Sequence, residues 1–567
     1  MPVSSDSSLD STSTLEDLSA QEDATARSEG QLANGPQEDK EWWKVKKRPR
    51  EESNEGNSIS ERAQLPSLND REASAEVEYV HPGVSLTAVT ELPDSENRGC
   101  MSLRDILYQG TPIKEMLQFN MKVDLEWFLA HLDENDRQRI PMTIVHGSTG
   151  ENAVLMKELI SKSYQNVKLV QPYLPVPYGT HHSKAMLLFF TDSTLQVVIH
   201  TANLVAGDWD YRTQEVWQSP RLHLKSYSES ESYVPLAATS QFELDLIAYL
   251  RAYEHRLTKF IKAIQQYDFS PVRAVLIAST PGYHTNANMY KWGHMRLRDV
   301  LRRVDVGSVE DSRNDLVICQ FSSIGSVPHA WFTDALGASL RSSTVSQFEP
   351  SMVSKVSGSK KRILGGTEAN LKIVYPTLYN VRDSLMGWRA GGALPHDYKN
   401  WLKQKDWMMP YLHRWKGVRS GRDRASPHIK TYTRLRLQTQ SKDDKEGEPA
   451  DAEILWHLVT SANLSRAAWG DLQKNGTQFM VRSYELGVLI YPALWKNENE
   501  REIAMVNATR DNPKPTCKDQ AYRRLIPIRL PYDLPLTPYV PGKDEAWTWD
   551  VSREEVDWLG FRWDGSR

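Results

Sequence analysis

Residues 426–435 read SPHIKTYTRL, and residues 181–190 read HHSKAMLLFF. Each sets a His-x-Lys triplet, His182 to Lys184 and His428 to Lys430, at the mouth of a run that reads as a β-strand. Side chains on an extended strand alternate between faces. The histidine and lysine of a triplet therefore share one face, while His181 points to the other. An imidazole and an ammonium side by side suit a phosphate. One such triplet is common by chance, so the second copy and its surroundings decide the reading.

Each triplet is followed by a hydrophobic strand that ends in a small-Ala-Asn-Leu turn: VVIHTANLVAGDW at 197–209 and LVTSANLSRAAWG at 458–470. Asn203 precedes Trp209 by six residues, and Asn463 precedes Trp469 by the same interval. The distances from triplet to asparagine, 21 and 35 residues, differ by about the length of the charged stretch 441–453. An internal duplication explains this economically. Around it, 142–148, 166–174, 195–203, 316–323, 370–376 and 453–463 read as strands. Helical periodicity marks 151–163, and 243–267 reads as one long amphipathic helix. Strands alternating with helices predict an α/β fold: two similar α-β-α sandwich halves that share one site at their interface.

The rest of the chain frames these halves. Residues 1–85 are polar and acidic, too poor in aliphatics to offset their chain entropy, and are expected to be a disordered tail. The halves are expected at 86–268 and 269–567. The first 80 residues hold 18 Asp/Glu against 9 Lys/Arg, so a net charge of −4 leaves the remainder at +5. That balance permits a nucleic-acid partner. KVKKRPR, Lys44 to Arg50, reads as a nuclear-import run within the acidic tail. Three scattered cysteines, no signal peptide and no long apolar run predict a soluble intracellular protein that does not cross a membrane. The basic stretch 355–366 lacks a phosphate-loop pattern and, like 441–453, reads as a surface loop.

The paired H-x-K and asparagine motifs resemble the phospholipase D superfamily, whose usual motif is H-x-K-x-x-x-x-D. Here the aspartate positions hold Phe189 and Leu435. That departure, with the stretches PYGTHHSKAMLL, QFSSIGS, NGTQFMVRSYELGVL and LPYDLP, resembles the tyrosyl-DNA phosphodiesterase branch acting on 3′ ends. The resemblance covers about residues 100–555. It implies hydrolysis of the 3′-phosphotyrosyl bond between DNA and a trapped type I topoisomerase or its peptide, by a nuclear and monomeric enzyme. Alternatives are a broader 3′-end phosphodiesterase and, less favoured, an inactive scaffold that binds DNA ends.

Phosphoryl transfer asks mainly for positioning and charge stabilisation. Lys184 and Lys430 offer two ammonium groups, and Asn203 and Asn463 offer neutral donors. No metal or other cofactor is expected, because a lysine beside each histidine would repel a cation. One histidine attacks phosphorus and the other shuttles protons. Residue symmetry leaves the roles open; the resemblance makes His182 the nucleophile and His428 the general acid and base. It also implies that Glu485 orients His182 and Gln214 supports His428. Expected substrate contacts are Tyr178 on a base, Ser322 and Ser323 on DNA phosphates, and Trp547 on the peptide side.

Overall fold

The apolar runs after the two triplets become strands because both of their faces are buried. A computed structural model describes residues 77–226, 240–344, 367, 369–437, 452–496, 503–515, 522 and 524–565. Strand β5 (Ala185–Phe190) turns Leu187 and Phe189 to one side and Met186, Leu188 and Phe190 to the other. All of these are buried, each contributing about 1.5–3 kcal/mol relative to exposure.

The first sheet has seven strands. In spatial order they are β1 (Val84–Leu86), β7 (Glu215–Gln218), β6 (Leu195–His200), β5, β2 (Ile113–Asn120), β3 (Met142–His146) and β4 (Val167–Val170). The first four pairings are antiparallel and the last two parallel. The second sheet repeats that order and those directions: β8 (Val275–Ser279), β14 (Glu485–Ile490), β13 (Ala452–Thr460), β12 (Thr431–Leu437), β9 (Asp315–Gln320), β10 (Asn370–Val374) and β11 (Leu412–His413). It is widened by β15 (Ile503–Ala508), β16 (Arg524–Arg529) and the short strand Glu78–Tyr79. The duplication seen in the motifs thus extends through whole sheets.

The inner faces of both sheets meet in one shared core. Leu187, Val197 and Ile199 from the first sheet join Ile318, Ile454 and Val488 from the second, with helices α2 (Gln241–Arg251) and α3 (Thr258–Ile264) packed into it. The outer face of the first sheet lies under helices such as α1 (Gly150–Ser163), and that of the second under its own set, including α4 (Gly293–Leu301) and α5 (Tyr398–Met408). This is the α/β class expected. No helix among the described residues is long and apolar enough to cross a membrane.

Two expectations are corrected. The helix read over 243–267 is broken, with a 3-10 turn at Glu254–Leu257 between α2 and α3. Glu254 there takes a φ of 57°, which no continuous helix accommodates. The break turns Tyr253 inward, where its hydroxyl meets His181 Nε2 at 3.0 Å and the Tyr249 hydroxyl at 2.6 Å. The tail also ends earlier than residue 85, since Glu78–Tyr79 and β1 already pair with the sheets. The basic run Lys44 to Arg50 and the stretch 355–366 lie outside the described residues, as does all of 441–453 except its last two positions, which open β13.

Candidate active site

The two triplets are held by backbone bonds that cross between the sheets. His182 N donates to Tyr484 O at 3.0 Å, and Tyr484 N returns a bond to Thr180 O at 2.9 Å. In the other copy His428 N and Ile429 N both donate to Thr213 O, at 3.1 and 2.8 Å. Tyr484 and Thr213 directly precede Glu485 and Gln214. Each half therefore delivers its orienting side chain to the histidine of the other. Gly179 lets the first crossing close: a Cβ there would stand 2.2 Å from Arg482 O.

The predicted orienting residues arrive where expected. Glu485 Oε2 lies 2.9 Å from His182 Nδ1 and also accepts the Ser461 hydroxyl. Gln214 Nε2 lies 3.0 Å from His428 Nδ1, while its Oε1 accepts the Thr201 hydroxyl at 2.7 Å. Thr201 and Ser461 each stand two residues before a motif asparagine, so the pairs are equivalent by position.

The lysines fold back on their own triplets. Lys184 Nζ donates to His182 O at 2.8 Å, and Lys430 Nζ donates to His428 O. Both lysines are fully buried, whereas the His182 side chain keeps 12 % exposure and Asn203 and Asn463 keep 7 % and 9 %. An entering group thus meets the histidines and asparagines first. Asn463 is fixed by three donors to its Oδ1: Ser322 N and Oγ at 3.2 Å and Ser323 N at 3.1 Å. Its amide Nδ2 is the end left to donate.

The charges are crowded and buried, and the protonation equilibria respond. Burial lowers the pKa of His182 against the raising influence of Glu485, and Lys184 lowers it further. Burial, Lys430, Lys184 and Arg212 hold His428 well below the usual imidazole range. Burial pushes Lys184 down to about 8, although Glu485 and Asp208 favour its charge. Lys430 falls well below the ordinary lysine value through burial and Lys184. Burial alone would raise Glu485, but His182, Ser461 and Lys184 more than offset it, leaving it lowered. Such a site is short of negative charge.

Several sequence expectations change on contact with the structure. Ser322 and Ser323, expected on DNA phosphates, are buried, and their backbone N–H groups hold Asn463 in place. Trp547 is fully buried, stacked on Trp388 and donating Nε1 to Gly391 O. It belongs to the outer core of the second sheet and shows no face to a peptide. Tyr178 is 41 % exposed at φ 61°, four residues before His182. His181 bonds Asn120 O and Tyr253 and is packed away, as its opposite orientation implied.

One residue went unread in the sequence. Asp208 Oδ2 lies 3.2 Å from His428 Nδ1, and its side chain is 2 % exposed. The repeat held the signal, because position 468, five residues after Asn463, is alanine where the first copy has this aspartate.

Comparison with known proteins gives this arrangement a family. Residues 83–540 match the profile described as tyrosyl-DNA phosphodiesterase. The chain is 33 % identical over 510 residues to tyrosyl-DNA phosphodiesterase 1 of Arabidopsis thaliana, covering 84 % of this chain and 76 % of that one. It is 32 % identical over 467 residues to tyrosyl-DNA phosphodiesterase 1 of Drosophila melanogaster, covering 80 % and 72 %. The fold is also that of the crystal structure of the yeast tyrosyl-DNA phosphodiesterase, with a TM-score of 0.57 at 22 % identity over 83 % of this chain and 99 % of that one. With the profile spanning most of its length and two such relatives, the chain belongs to the tyrosyl-DNA phosphodiesterase family.

Proposed function

We propose that the chain hydrolyses the bond between a DNA 3′-phosphate and a tyrosine, as in a trapped type I topoisomerase or its peptide, in two steps. His182 Nε2 attacks phosphorus, forming an N–P bond as the tyrosyl oxygen departs and takes the proton of His428. Water then attacks the phosphohistidine, His428 accepts its proton, and the N–P bond breaks to leave a 3′-phosphate. The carrying observation is that Nδ1 of each histidine is engaged from the opposite half, by Glu485 and by Gln214, which leaves Nε2 of each for the substrate. Lys184, Lys430, Asn203 and Asn463 stabilise charge on the nonbridging oxygens, so no metal is required.

Tyr178 supports the DNA reading: a half-exposed aromatic in a strained backbone conformation beside the nucleophile suits stacking on a terminal base. Both motifs come from one chain, so a monomer suffices. The strand content of the two sheets supports halves divided near 268 and 269. A basic run at Lys44 to Arg50 supports action in the nucleus. A second reading, removal of other 3′ adducts, is favoured by the burial of Trp547. Among the residues singled out, that leaves only His428 to meet the departing group.

The test is cleavage of a 3′-phosphotyrosyl oligonucleotide in excess EDTA. Turnover should persist, His182→Ala should abolish it, and His428→Ala should leave DNA covalently attached when the leaving group is p-nitrophenolate. Loss of turnover on chelation, or an adduct on the His182 variant alone, would overturn the reading.

A further inference from the structure

Two groups compete for Nδ1 of His428, and they ask for opposite tautomers. Gln214 presents Nε2, a donor, at 3.0 Å. Its orientation follows from its neighbours. Thr201 Oγ1 accepts Glu215 N at 3.0 Å and so donates to Gln214 Oε1, while Gln214 Nε2 also reaches Asp208 O at 3.4 Å. A donor at Nδ1 favours the neutral ring with its proton on Nε2, and that ring cannot accept a proton from water. Asp208 Oδ2, at 3.2 Å, asks for the reverse: a proton on Nδ1 and a lone pair on Nε2.

We infer that Asp208 is the positioning residue for His428, holding Nδ1 protonated through both steps so that Nε2 can first donate and then accept. The inference rests on the two-step reading above. In the charged ring Nδ1–H donates to Asp208 while Nε2–H faces the leaving oxygen. Once that proton is given up, Nδ1–H stays on Asp208 and Nε2 is bare for the attacking water. Gln214 alone would leave the ring in the wrong tautomer for the second step.

The carboxylate is built in, not incidental. Oδ2 also accepts Asn203 N at 2.6 Å, and Oδ1 accepts Arg212 NH1 at 2.9 Å, with both side chains buried. Its charge also reaches Lys184 and Lys430, where it favours the protonated forms. The comparison between halves points the same way. Glu485, a carboxylate, stands where the other half has Gln214, and Asp208 stands where the other half has Ala468. Each histidine therefore has one carboxylate at Nδ1, delivered from different positions.

Asp208→Asn keeps the shape and the bond from Asn203 N. With a p-nitrophenyl leaving group its first step should stay within a few-fold of wild type, while hydrolysis of the intermediate slows about 10²-fold, the usual scale of lost general-base help. DNA–protein adduct should therefore build up. The double variant Asp208→Asn, Gln214→Glu, which returns a carboxylate to Nδ1, should restore most of the second step. A merely structural role would slow both steps and would not be rescued. Adduct on His428→Ala but none on Asp208→Asn would overturn this inference and leave the two-step reading standing; adduct on neither would overturn the two-step reading itself.

Discussion

The carboxylate of Glu485 and the imidazole of His182, 303 residues apart in the chain, meet at 2.9 Å across the boundary between the two sheets. In the proposed mechanism Nδ1–H donates to Glu485, which keeps the lone pair on Nε2, and the carboxylate offsets the positive charge that develops on the ring during attack. Glu485→Gln preserves an acceptor and removes that charge. The rate of adduct formation in single-turnover quench should fall about 10²-fold, with DNA affinity little changed. A first step within two-fold of wild type would refute this role.

Protonation of His428 should make pH dependence follow the leaving group. Burial, Lys430, Lys184, Arg212 and His182 all push its pKa down. With the tyrosyl substrate, kcat/KM should fall as pH rises from below 6.5, because the acid needed for departure is lost. A p-nitrophenyl diester needs no such help and should hold its rate until about pH 8, where Lys184 releases its proton. Identical profiles for the two substrates would contradict the acid role.

Truncation should discriminate sharply between two nearby end points. Removing residues 1–76 leaves every described strand in place. Removing 1–87 deletes Glu78–Tyr79, β1 and Thr87, whose N–H donates to Gln214 O at 3.0 Å. The shorter deletion should keep wild-type turnover on short oligonucleotides. The longer one should lower both Tm and turnover, and equal Tm values for the two would show the edge strands to be dispensable.

Acid should unfold the protein steeply. His181, His200, His294 and His396 are fully buried, and burial pushes each down to about 3. Depressed histidines contribute full stability above the unfolded value of 6.5 and lose it as pH falls toward 3, because the unfolded chain binds the extra protons. Each adds a slope of up to ~1.4 kcal/mol per pH unit. The urea midpoint should therefore drop continuously from pH 6.5 to 4, and a flat midpoint over that range would exclude the effect.

The triplets, asparagines and most strands could be read from the sequence because a duplicated pattern leaves its mark twice. His182 and His428 needed only their spacing. Gln214 and Glu485 could be placed only by family resemblance, since a glutamine and a glutamate in strand-like runs carry no signal of reaching across an interface. The helix break at Glu254 was hidden because the apolar period runs straight through a residue whose backbone leaves the helical region. The inward turn of Trp547 has no sequence signal, because side-chain chemistry shows what a residue could contact but not which way it faces. Asp208 leaves no such mark, because it appears in one copy only.

The exchange of orienting residues between halves also bears on when activity begins. A ribosome adding ~5–20 residues per second extends from His182 to Glu485 in about 15–60 s. Throughout that interval the growing chain carries the proposed nucleophile, His182, without the carboxylate that would aim it. Prematurely terminated chains are in the same state, and so is any proteolytic fragment that ends between the halves. Under the proposed mechanism, a chain that would bond covalently to DNA thus stays unaimed until its last partner has been made and folded home.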